Sequence, residues 1–83
     1  MRHYAVIYEK GENGWGAYAP DLPGLGAAGK TLEEVKQLIA EGVVFHLEGL
    51  LEDNDPIPEP TTLTGVVSTD VVEAWPRHLA KTA

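Results

Sequence analysis

The stretch PDLPGLGAAGKTLEE, residues 20–34, decides how this chain folds. Inside it, GLGAAGKT (24–31) satisfies G-x-x-x-x-G-K-[ST], the phosphate-loop pattern, and its first six residues satisfy the dinucleotide fingerprint G-x-G-x-x-G. Both patterns set glycine amides and a helix N-terminus around phosphate. A phosphate loop, however, is fed by a buried strand that ends at its first glycine. Pro20-Asp21-Leu22-Pro23 stands there instead, and a buried central strand excludes proline. The dinucleotide reading asks for an acid about 20 residues further on, at the tip of a second parallel strand. That place falls near Glu48, within a helical pattern. Thr31 also has a structural task already. With Glu34 it forms a capping box, in which the hydroxyl takes the Glu34 amide and the carboxylate reaches back. The stretch therefore reads as a turn, a short strand over 25–28 and the start of a helix. Neither ATP nor NAD is expected to bind, and no cofactor is implied.

Working outward, Leu32, Val35, Leu38, Ile39, Gly42, Val43, His46, Leu47 and Leu50 recur at helical spacing. They predict a helix from Leu32 to about Leu51. Upstream, HYAVIYE (3–9) and WGAYA (15–19) are strand-like and flank the turn KGENG (10–14). They predict a hairpin with Tyr4, Val6 and Tyr8 on one face and Ala5 and Ile7 on the other. Both faces are apolar, so a helix covers one and a partner is expected on the other. Downstream, the prolines of EDNDPIPEP (52–60) end the helix. LTGVVSTDVV (63–72) predicts one more strand, and 73–83 a tail. The order is β-β-β-α-β: an α+β domain with one long helix on a small, mainly antiparallel sheet. The 83 residues make one domain.

The net charge is −7, and it is concentrated. Residues 31–60 carry eight acids and a single base, Lys36, so the remainder of the chain is neutral. Such a field repels phosphate backbones and attracts basic proteins. There is no cysteine, which excludes disulfides and thiolate chemistry. The N-terminus lacks an apolar leader and no run approaches the ~20 apolar residues of a membrane span. A cytoplasmic protein is expected. His3, His46 and His78 lack ligand spacing, and His46 falls on the apolar stripe as a packed side chain. Asp53 and Asp55 lack the glycine and terminal glutamate of a calcium loop, so they read as a polar helix exit. No catalytic residue and no metal site are expected. A core this small favours association, most simply as a homodimer.

With these residues in view, the first 60 positions resemble the HicB family of antitoxins. The resemblance rests on YAVIYE (4–9) and on GWGAYAPDLPGLGAAGKTLEEV (14–35), above all Pro20, Asp21, Leu22, Pro23 and Gly24 followed by Gly29, Thr31, Glu33 and Glu34. The proline exit Ile57-Pro58-Glu59-Pro60 extends it. The resemblance implies a β-β-β-α-β fold like a truncated ribonuclease H sheet. It also implies a partner, a small basic RNA-cleaving toxin of the HicA type, blocked by occlusion. Full-length members of the family add a DNA-binding module after the proline exit. The 23 residues after Pro60 are too few for a strand plus two ordinary helices, so operator binding is not expected. Asp21, Leu22, Glu33, Glu34, Glu41 and Glu48 are the expected toxin contacts, with Leu22 or Trp75 as apolar anchors. The competing reading is a stand-alone homo-oligomer that binds a small metabolite between subunits.

Overall fold

A computed structural model describes residues 1–70. Three strands, β1 (Ile7–Lys10), β2 (Trp15–Tyr18) and β3 (Gly26–Gly29), precede one helix, α1 (Leu32–Glu52). The sheet is antiparallel in the order β1-β2-β3. The expected α+β arrangement of three strands followed by one long helix is present.

Registry explains which side of the sheet is buried. Tyr8, Ala17 and Ala27 form one cross-strand row. Ala17 belongs to the core with Val35 and Ile39 of α1, and Val6, Tyr8, Trp15, Leu25 and Ala27 pack around it. The small side chains at Ala17 and Ala27 let α1 settle onto β2 and β3. The opposite face carries Ile7, Tyr18 and Gly26 in one row and Glu9, Gly16 and Ala28 in the next. Tyr18 and Ala28 are exposed there.

Two boundaries differ from expectation. β1 starts at Ile7 rather than His3, because β2 runs out first: Tyr18 pairs with Ile7, and the chain then turns away through Ala19 and Pro20. β3 is shifted by one residue, which frees Leu25 to pack against the core. The fourth strand expected over 63–72 is not formed over residues 63–70, and Val71 and Val72 lie outside the described residues, as does the tail 73–83.

The glycines of residues 24–31 are explained by local geometry. Leu22 N–H donates to Ala19 O (3.0 Å) and Leu25 N–H to Leu22 O (3.2 Å), so two tight turns follow one another. In the second, Pro23 precedes Gly24 at φ +86°, the pairing a type II turn requires. Gly29 sits where β3 meets the helix start; a Cβ there would lie 2.6 Å from Glu34 Oε1 and 3.1 Å from Val35 Cγ2.

Both helix ends are capped. The Glu34 amide donates to Thr31 Oγ1 (3.2 Å), the hydroxyl half of the expected box. At the far end, Asn54 N–H donates to Leu51 O (3.2 Å) and Asp55 N–H to Leu50 O (2.8 Å), with Asn54 at φ +57°. That pair of bonds is a Schellman motif, and Pro56 follows it. Asp53 and Asp55 thus serve the helix exit, as their spacing predicts.

Candidate partner-binding surface

The turn at residues 20–24 is a fastening point for the chain that follows the helix. The Asp21 carboxylate accepts four hydrogen bonds. The backbone amides of Thr61 and Thr62 donate to Oδ2, both at 2.9 Å. Their hydroxyls donate to Oδ1 at 3.1 and 2.9 Å. The Thr62 amide and then its hydroxyl do most to hold the carboxyl below the ordinary aspartate value of 3.8; desolvation opposes them, and the Thr61 amide and hydroxyl add lesser support. Two further ties hold the same segment. Tyr4 Oη donates to Pro58 O (2.6 Å), and Arg2 pairs with Glu59 at 3.4 Å. Asp21 therefore spends its acceptors within its own chain. Leu22, expected to meet a partner, is fully buried at 0% exposure and has no surface to offer. Buried together with Ala19 at the turn that Asp21 fastens, it stabilises its own chain instead.

The helix carries the remaining candidates. Glu33, Glu34, Glu41 and Glu48 are all exposed on α1. Between the last two stands Phe45, exposed at 81%. Glu41 precedes it by four residues and Glu48 follows by three, so both acids are its neighbours on the helix surface. Ala40, Glu41, Val44, Phe45 and Glu48 line one shallow depression. Val44 and Leu51 are also more than half exposed. The first turn holds Glu33 and Glu34, which favour the helix dipole; the last turn holds no base at all. Glu52 and Asp53 thus add negative charge where the dipole already places it.

His46 lines a separate shallow groove with Leu25, Gly42 and Leu50. Among the described residues, no three histidine, aspartate or glutamate side chains gather as they would around a metal ion. No helix among them is long and apolar enough to cross a membrane. Trp75 lies outside the described residues.

Residues 4–82 match the family model described as the HicB_like antitoxin of bacterial toxin-antitoxin systems. The chain belongs to that family. Three relatives agree with the match. One is an uncharacterized protein of the rep-hol intergenic region of Haemophilus phage HP1, 39% identical over 56 residues, spanning 68% of this chain and 42% of the relative. Another is a UPF0150 protein of Synechocystis, 34% identical over 58 residues, spanning 69% and 73%. The third is Antitoxin HicB 2 of Photorhabdus laumondii, 34% identical over 59 residues, spanning 71% and 42%. The match thus spans less than half of the phage protein and of the Photorhabdus antitoxin.

Within this HicB-like domain, one surface feature escaped the sequence reading. Val44, Phe45 and Leu51 lie off the apolar stripe that packs on the sheet. Their signal was the run VVFHLEGLL (43–51), which is apolar on more than one side. A helix apolar beyond a single stripe has more surface to bury than one sheet can cover.

Proposed function

We propose that this chain is an antitoxin that neutralises a small basic RNA-cleaving toxin of the HicA type by covering its working surface. Occlusion requires no chemistry, so no catalytic role is assigned to any residue. The toxin acts on RNA in the cytoplasm, and the antitoxin works there with it.

One observation carries the reading: Phe45 stands exposed between Glu41 and Glu48 on a helix with no base in its last turn. Interfaces concentrate their affinity in a few aromatic anchors surrounded by polar residues. Acids around the anchor suit a surface built for phosphate, whose lysines and arginines they attract. Glu33 and Glu34 extend that field to the helix start. Asp21 contributes indirectly, by holding residues 61–62 in place beside the turn.

The proposal includes self-association, most simply as a two-fold dimer. Support comes from the small core and from the sheet face of Ile7, Gly16, Tyr18 and Ala28, over which no element among the described residues packs.

Co-expression tests the antitoxin role. A basic HicA-type toxin encoded beside this chain arrests growth, and the wild-type chain restores it. The pair Glu33→Lys and Glu34→Lys slows association and weakens the salt dependence of its rate. A wild-type chain that neither restores growth nor forms a complex at low salt overturns the proposal.

A further inference from the structure

We infer that residues 63–70 add as a fourth strand to the β1 edge of a second copy of this chain, and that the exchange is reciprocal. The inference names a contact for the self-association proposed above and rests on that reading. It does not depend on the toxin.

Composition is the first support. Thr62, Thr64, Val66, Val67 and Thr69 are β-branched, and residues 60–69 carry no charge. In a chain of net charge −7, a symmetric contact must bring like surfaces together, and like charges across an interface are costly. The acid-bearing helix face is poorly suited to a two-fold contact for that reason; this segment, uncharged as far as Thr69 with Asp70 at its end, is well suited.

Exposure is the second. Through Thr62 the chain is held to its own domain by Asp21, Tyr4 and Arg2. Immediately beyond, Leu63, Val66 and Val67 are 95%, 91% and 92% exposed. At about 3.3 Å per residue, such a segment reaches well into a neighbouring molecule. The clamp fixes where it departs.

The acceptor is the third. β1 and β3 are the outer strands of the sheet. β3 is Gly-Ala-Ala-Gly, a weak strand former. β1 is Ile-Tyr-Glu-Lys and is preceded by Ala5 and Val6, half-buried residues that extend past the end of β2. It lies at the side of the sheet away from β3, while α1 sits over β2 and β3. Among the described residues no strand pairs with the outer edge of β1, and such an edge is a template for another strand.

Proline substitution in the full-length chain tests the contact. The added strand has one neighbour only, so alternate N–H groups face β1 and the others face solvent. Light scattering at tens of micromolar is expected to give the mass of a dimer. Of Val66→Pro and Val67→Pro, one is expected to weaken the dimer by about tenfold or more, because the reciprocal contact loses one hydrogen bond in each copy, and the other to spare it. Helical circular dichroism stays unchanged in both, because neither side chain packs on its own domain. A dimer indifferent to both prolines overturns the strand exchange and leaves self-association standing. A monomeric wild type overturns both, and so does a monomer in which the 63–70 amides resist hydrogen exchange.

Discussion

Asp21 does more than occupy a turn. Its two oxygens divide the work: one receives two amides and the other two hydroxyls. An asparagine in its place can turn its oxygen to the amides and its NH₂ to the hydroxyls, which accept as readily as they donate. Asp21→Asn is therefore expected to keep residues 61–62 in place, and Asp21→Ala to release them, with hydrogen exchange at the Thr61 and Thr62 amides as the readout. The charge shows itself in pH dependence. Because the folded carboxyl titrates below 3.8, its stabilising effect is complete above that value and is lost as pH falls through the lowered one. Amide protection in the wild type should collapse in that acid range, whereas Asp21→Asn should show no such step. Thr31→Ala is expected to cost about 0.5–2 kcal/mol, measured by chemical denaturation, through loss of the bond from the Glu34 amide.

Elements whose causes are local were legible in the sequence. Pro23-Gly24 dictates a turn, Thr31 a helix start, and the prolines of residues 52–60 a helix stop, and each holds within a few residues, whereas the left-handed cap at Asn54 is seen only in the structure. Elements whose limits are set by a distant partner were less so. Nothing in HYAVIYE says that β2 will end at Tyr18 and leave residues 3–6 without a ladder. The Asp21 clamp joins residues 40 and 41 positions apart, and no periodicity announces it. Phe45 lies off the stripe that faces the sheet, and helical periodicity picks out only that stripe. The hairpin offers a sharper test of local geometry. Gly14 has φ +154°, and a Cβ on it would collide with the Gly29 carbonyl oxygen. Backbone cannot yield there as a flexible side chain does, so Gly14→Ala should cost roughly 1–3 kcal/mol. Gly24→Ala, at φ +86° but with open space around it, should cost about 1–2 kcal/mol from backbone strain alone.

At the scale of the molecule, charge and apolar surface are apportioned between two regions. The helix presents acids around an aromatic anchor; the segment after the clamp presents neutral, β-branched residues. We assign the first to a basic toxin and the second to another copy of the chain, so lesions in one should leave the other intact. Val66→Pro and Val67→Pro are accordingly expected to preserve growth rescue. The most direct measurement of the central claim is the affinity of the purified chain for a HicA-type toxin, with Phe45→Ala and Glu41→Lys/Glu48→Lys compared against wild type. The account predicts a saturable complex that blocks RNA cleavage. It predicts that Phe45→Ala loses about 2 kcal/mol or more of binding, chiefly through faster dissociation. It predicts that the charge reversals act mainly by slowing association, and more strongly at low salt. A complex of undiminished affinity in Phe45→Ala, with association rates unmoved by the reversals, would contradict the account.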